Sequence, residues 1–210
     1  EIKRASPSKG ALNENLDPSR YAVSYERAGA AALSVLTDPS YFKGSLADLA
    51  AARQSVSLPV LRKEFIISEY QTLESAAHEA DAVLLIVRIL STAQLEDYLA
   101  LCREIGLDAL VEVHSEADLS SASLAGADLI GINNRNLQTF ETRIDTSIRL
   151  APLLSSGQVA VAASGIRNAD DIQVLKAAGI FNFLIGESLV RAGSAETFLK
   201  TMVDDSHAAH

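Results

Sequence analysis

Short apolar runs alternate along the chain with amphipathic stretches. The runs read AALSVLT (31–37), PVLRK (59–63), DAVLLIV (81–87), DALVEVH (108–114), ADLIGINN (127–134), QVAVAASG (158–165) and FNFLIGES (181–188). Each carries a polar residue in its last two positions or is followed at once by one. Between them lie helical patterns such as LADLAAARQ, TAQLEDYLALCREIG, ADDIQVLKAAG and AETFLKTM. Several of these stop at glycine, as helix C-termini often do. The opening Glu1-Ile2-Lys3 resembles the polar end of a further run and makes an eighth. Strand and helix in strict alternation predict a parallel sheet, and runs this apolar suit strands buried on both faces. Eight units fit a (β/α)8 TIM barrel better than an open doubly wound sheet. The pattern predicts one barrel domain over residues 1–200. The remainder, 201–210, ends in VDDSHAAH without periodicity and is expected to be a frayed, disordered tail.

In such a barrel the C-terminal ends of the strands converge on one mouth. The polar residues that end the runs therefore belong together. They are Glu1 and Lys3, Lys63, Glu112, Asn133 with Arg135, Ser164-Gly165, and Gly186-Glu187-Ser188. Lys3, Lys63, Glu1 and Glu112 in one mouth are costly to desolvate unless they pair or do chemistry. A lysine so placed can serve as general acid or base. The glycines after the seventh and eighth runs let backbone N–H groups approach an anion, the usual phosphate site of this architecture. Bulky replacement of either is expected to weaken anion binding.

Composition narrows the picture without redirecting it. A chain of 210 residues, 48% of them hydrophobic, is long enough for one substantial core. Its net charge of -9 argues against a nucleic-acid partner. No stretch reaches the length and apolarity of a membrane span. The single cysteine, Cys102, lies in a helical pattern, reads as a buried packing residue, and suggests a reducing, cytoplasmic compartment. Tyr21 and Tyr25, four apart on the first helical pattern, read as packing residues. His114, two residues after Glu112, could point into the mouth and is expected to support the site or face solvent.

The motifs EIKRASPSKG, SVLTDPSYFKGS, PVLRKEFI, LLIVRIL, LVEVH, IGINNRNLQTF, SGI and NFLIGESLVR span nearly the whole chain in order. In these the chain resembles the indole-3-glycerol phosphate synthase family of tryptophan biosynthesis. The resemblance implies ring closure of 1-(2-carboxyphenylamino)-1-deoxyribulose 5-phosphate, with loss of CO2 and water. It implies no metal or organic cofactor. Lys63 matches the family's proton donor for ring closure, and Lys3 and Glu112 match residues implicated in dehydration, with the division of the acid roles between the lysines left open. Glu1 and Asn133 match residues that hold the substrate and orient the lysines, and Arg135 fits a carboxylate-binding or supporting place. Ser6, Lys9, Ser164, Gly165, Gly186, Glu187 and Ser188 fall in the phosphate-holding segments. Phe42, Phe65 and Leu84 match apolar positions around the anthranilate ring. The implied partner is a small phosphorylated substrate, with no nucleic acid or membrane. The implied assembly is a monomer, or a chain fused or associated with other tryptophan-pathway enzymes.

Two departures stand out. The family carries an N-terminal extension over the mouth, and these 210 residues begin at the catalytic end of the first strand. The expectation is a barrel without that cap. The family's ESGI reads AASGI here, with Ala163 in place of a glutamate. Two other readings stay open: an impaired or non-catalytic barrel that binds the phosphorylated ligand, and a Schiff-base aldolase using Lys3 or Lys63 as nucleophile.

Overall fold

The computed structural model describes residues 1–7, 10–136 and 139–207. Seven parallel strands curl into one sheet: β3 (Leu33–Leu36), β4 (Val60–Lys63), β5 (Ala82–Ile86), β6 (Asp108–Val113), β7 (Leu129–Asn133), β8 (Val159–Ala163) and β9 (Asn182–Leu184), in sequential order. Before them, β1 (Ala5–Ser6) and β2 (Gly10–Ala11) form a small antiparallel pair. The helices are α1 (Pro18–Arg27), α2 (Leu46–Ser55), α3 (Glu69–Ala77), α4 (Thr92–Ile105), α5 (Glu116–Leu124), α6 (Asp145–Leu150), α7 (Ala169–Ala177), α8 (Glu187–Arg191) and α9 (Ala195–His207). Among the described residues, no helix is long and apolar enough to cross a membrane.

The expected first strand is reduced to a single bridge, between Ile2 and Val35. The Ile2 N–H donates to the Ser34 carbonyl (2.7 Å), and the Leu36 N–H donates to the Ile2 carbonyl (3.1 Å). On the other side the Glu1 nitrogen donates to the Ile185 carbonyl (2.8 Å), just past β9. Two residues thus link the edges of the seven-stranded sheet. A strand needs several residues to build a ladder, so this segment holds its place through the backbone bonds of Glu1 and Ile2. At the other end of the chain, α9 runs through the first part of the segment expected to lack order, and 208–210 lie outside the described residues.

The strands are apolar on both faces, and alternation decides what each face meets. Leu61, Leu84, Ile86 and Leu110, with Leu129, Val161 and Leu184 packed against them, fill the barrel interior. Val83, Leu85, Val111, Val113, Ile130 and Ile132 point outward and pack under α4 and α5. Cys102, on α4, belongs to this outer layer; it is 1% exposed, and burial pushes its thiol up to about 11. That excludes a reactive thiolate and matches the packing role expected of it. Tyr21 and Tyr25 meet edge to face at 5.8 Å, also as packing residues.

A repeated local signal starts the helices. Ser45, Ser68, Ser91, Ser115 and Asn168 each precede a helix, and each side-chain oxygen accepts from the backbone N–H three residues on. These caps satisfy a donor that the first turn leaves free. They start each helix soon after its strand has passed the mouth.

One outward-facing strand residue is charged. Arg62, on β4, is 4% exposed. Its guanidinium pairs with Glu74 (2.9 Å) and donates to the Gln71 carbonyl (3.1 Å), Ser75 Oγ (3.1 Å) and Thr37 Oγ1 (3.2 Å). Thr37 in turn donates to Glu64 Oε2 (2.7 Å). This network ties β4 to α3 and to the loop after β3, directly behind Lys63.

Candidate active site

A cavity of about 770 Å³ opens at the C-terminal ends of the strands. Glu1, Lys3, Lys63, Glu112, Asn133 and Arg135 all line it. The cause is alternation: Lys63, Glu112 and Asn133 lie two residues beyond inward-facing positions of β4, β6 and β7, so their side chains also point inward. Asn134, the neighbour of Asn133, faces the other way. Its Oδ1 accepts from the Ser147 N–H and Oγ (3.0 and 2.9 Å), and its Nδ2 donates to the Ser164 carbonyl (3.1 Å). One of the two asparagines of INN faces the cavity and the other anchors α6.

Glu1 is the hub of the charged cluster. Its Oε1 accepts from Lys3 Nζ (2.6 Å), and its Oε2 accepts from Lys63 Nζ. Burial alone would raise its carboxyl, but the two ammonium groups outweigh that and hold it well below the usual carboxylate range. Lys3 is 8% exposed, and the Lys63 side chain 18%. One carboxylate thus fixes two ammonium groups at the cavity floor. Gly186 makes room for it. A Cβ on Gly186 would fall against Glu1 Oε1 and 3.0 Å from the Glu1 Cβ and Cδ.

Glu112 is 5% exposed, and among the described residues only His114 brings a basic nitrogen within 4.0 Å of its carboxylate. The Asn133 Oδ1 accepts from the Arg135 N–H (3.0 Å). Arg135 pairs with Glu187 Oε2 (3.3 Å), whose Oε1 meets Arg191 Nε (3.3 Å). Glu187 therefore positions two arginines that line the cavity and leaves anion contact to its neighbours.

Ser164, Gly165, Gly186, Glu187 and Ser188 form the rim after β8 and β9. Ser164 and Gly165 adopt φ of 67° and 79°. The first is uncommon for a residue with a side chain and marks a turn held by its surroundings. A Cβ on Gly165 would stand 2.7 Å from Thr142 Cγ2, so glycine also lets the loop after β7 close over the rim. Ser188 Oγ donates to the Ile166 carbonyl (2.7 Å) and ties the two rim segments together. On the opposite side Phe65 touches Tyr41 and Phe42 with ring centroids 6.1 and 6.2 Å apart, and Leu84 lies below.

Ser6 differs from the other expected site residues. It is 2% exposed in β1, does not line the cavity, and its Oγ has no partner among the described residues. Lys9 lies outside the described residues. Arg167 and Arg191, which are not among the residues expected from the sequence, bring two more cations to the cavity rim. Each follows a recognised motif within a few residues, in SGIR and GESLVR, and that adjacency was the available signal.

A family model described as indole-3-glycerol phosphate synthase matches residues 1–202. An indole-3-glycerol phosphate synthase of Desulfosudis oleivorans is 61% identical over 203 residues, covering 97% of this chain and 77% of the relative. One from Syntrophobacter fumaroxidans is 58% identical over 199 residues, covering 95% and 75%. Among solved structures, KGPDC from Streptococcus mutans superposes with a TM-score of 0.73 at 13% identity, covering 94% of this chain and 95% of that one. Thiamine phosphate pyrophosphorylase from Pyrococcus furiosus gives 0.72 at 14%, covering 90% and 89%. These two share the barrel architecture.

Proposed function

We propose that this chain, which belongs to the indole-3-glycerol phosphate synthase family, is a carboxy-lyase that closes the indole ring in tryptophan biosynthesis. The observation that carries the reading is the cavity in which one carboxylate, Glu1, holds Lys3 and Lys63, with Glu112 in the same cavity. The substrate is 1-(2-carboxyphenylamino)-1-deoxyribulose 5-phosphate. The ring carbon bearing the carboxylate attacks the sugar ketone, and Lys63 protonates the ketone oxygen. Loss of CO2 restores aromaticity. Lys3 then protonates the departing hydroxyl while Glu112 takes a proton from the new five-membered ring, and water leaves. Glu1 holds both lysine side chains in place, and Asn133 orients the substrate's polar groups. Ser164, Gly165, Gly186 and Ser188 receive the phosphate, with Arg167 and Arg191 adding positive charge. Phe42, Phe65 and Leu84 flank the anthranilate ring. The presence of every one of the catalytic side chains in one cavity favours turnover over a binding-only barrel. A single buried cysteine fits a reducing cytoplasm, and the assembly we favour is a monomer, alone or joined to other enzymes of the pathway. The test is the appearance of indole-3-glycerol phosphate by its fluorescence when the purified chain meets that substrate; no product at any enzyme concentration would overturn the reading.

The seat of Glu1 makes Gly186 a second test. Gly186→Ala is expected to displace the carboxylate that aims both lysines. Misplacement of a reacting group by about 1 Å costs up to ~10²-fold, so kcat is expected to fall about ten- to a hundredfold, beside any rise in KM from the phosphate rim. Steady-state kinetics provide the check: a rise in KM with kcat spared would leave Gly186 the phosphate role alone.

Ala163 ends β8, is 4% exposed, and follows inward-facing Val161 by two residues. It pairs with Asn133 on one side and Leu184 on the other. Ala163→Glu adds a carboxylate to a mouth that holds Lys3, Lys63 and Arg135. A hydrogen bond to a charged group contributes on the order of 1–3 kcal/mol, so kcat/KM is expected to rise by about one to two decades. An unchanged or lower kcat/KM, in a variant whose thermal melt matches the parent, would mean that the site is complete with alanine.

A further inference from the structure

Beside Glu112 lies an imidazole that the reaction outlined above does not use. His114 is 8% exposed, and neither ring nitrogen has a hydrogen-bond partner among the described residues. Its Nε2 stands 3.4 Å from Glu112 Oε1, and its Nδ1 stands 4.0 Å from Asp118 Oδ2. A buried polar group without a partner is costly, so an imidazole kept in this place calls for a reason.

The charged groups around it decide which nitrogen carries the proton. Glu112 faces it from β6, Asp118 from α5, and Arg88 from the turn after β5. Burial, the largest influence, lowers the imidazole below its ordinary range, so the neutral ring has one N–H to place. Asp118 Oδ2 already accepts from Arg88 Nε (2.9 Å) and from the His114 backbone N–H (2.9 Å). Glu112 has no such donor among the described residues. The nitrogen nearer to a carboxylate in need of a donor is Nε2.

We propose that His114 is a positioning residue for Glu112, holding its carboxylate by an Nε2–H donation as it takes the proton in dehydration. Arg88 and Asp118 support the arrangement from outside: the Asp118 carboxylate fixes the His114 backbone, which sets where the ring stands. At 3.4 Å the contact is long and the ring N–H is not aligned on the carboxylate, and such pairs commonly align and tighten when the substrate fills the site. The inference rests on the reading of Glu112 as the base.

The test compares three variants with the parent. A carboxylate that loses a donor takes up a proton at higher pH. His114→Leu is therefore expected to lower kcat about tenfold, with KM within about threefold, and to move the acid limb of the kcat–pH profile up by about one unit. His114→Gln, whose amide keeps a donor at similar reach, is expected to restore the limb. If His114→Leu does not fold, His114→Asn takes its place, because its amide is too short to reach Glu112. An acid limb that stays with the parent in the donor-free variant, or that moves equally in His114→Gln, overturns the proposal. Nitrogen-15 NMR of the parent gives a readout independent of activity: an Nε2–H tautomer is expected, and an Nδ1–H tautomer overturns it. Glu112→Gln distinguishes the two levels. If that variant turns over normally, the reading of Glu112 is at fault; if it is inactive while the His114 variants keep the parent's limb, only the role of His114 is.

Discussion

Lys63→Ala is expected to lower kcat by about 10²–10⁴ while leaving substrate affinity within about tenfold, the range for loss of a positioned proton donor. The residue stands at the end of β4, its ammonium bonded to Glu1 Oε2 and its side chain 18% exposed to the cavity. Removing one partner of a buried ion pair can leave the other charge stranded and unfold the protein. Here Glu1 keeps Lys3 at 2.6 Å, so the carboxylate remains paired and the barrel is expected to stay folded. That separates chemistry from stability. Single-turnover kinetics, with substrate affinity and a thermal melt measured on the same preparation, provide the check. A near-normal kcat would mean that Lys63 serves only as a structural partner of Glu1, and that the proton for ring closure comes from elsewhere.

Arg62→Ala is expected to cost about 3 kcal/mol of stability, the lower part of the range for breaking a buried pair, because Glu74 on the α3 side keeps some contact with water. The guanidinium meets Glu74, Ser75, Thr37 and the Gln71 carbonyl at once, and alanine leaves those groups without it. The damage is expected to reach the active site as well. Thr37, released from Arg62, would no longer fix Glu64, the residue next to Lys63. Arg62→Met, which refills the volume without the charge, is expected to recover part of the loss. Chemical denaturation of the two variants against the parent measures both. A loss under about 1 kcal/mol for alanine would show that the network is dispensable.

Much of this was legible in the order of the residues because the physics behind it is local. Apolar runs long enough to cross a sheet, separated by stretches of helical period, predict parallel strands without knowledge of any contact. Strand periodicity then sends every second side chain inward, and for that reason Lys63, Glu112 and Asn133 fall in one cavity while Arg62 and Asn134 do not. The serines and the asparagine that start the helices act within three residues of themselves, so they too lie open to inspection. The end of α9 is where local periodicity stops deciding. Its C-terminal part has weak periodicity, and Met202, 3% exposed, is buried by packing against residues far away in the chain.

The order of residues fixes the alternation of elements and the inward or outward sense of each strand residue, and the family's motifs point to the residues expected in the site. How these parts are held depends on contacts between distant segments. The tertiary structure placed the Glu1 carboxylate between Lys3 and Lys63, set Gly186 against Glu1, and brought Arg135 and Arg191 to opposite oxygens of Glu187. It also set the His114 ring beside Glu112, which meets no other basic nitrogen among the described residues. The difference lies in distance along the chain. Periodicity and capping depend on neighbours a few residues apart, whereas Glu1 and Gly186 are neighbours only once the sheet has curled far enough to bring β9 beside Ile2.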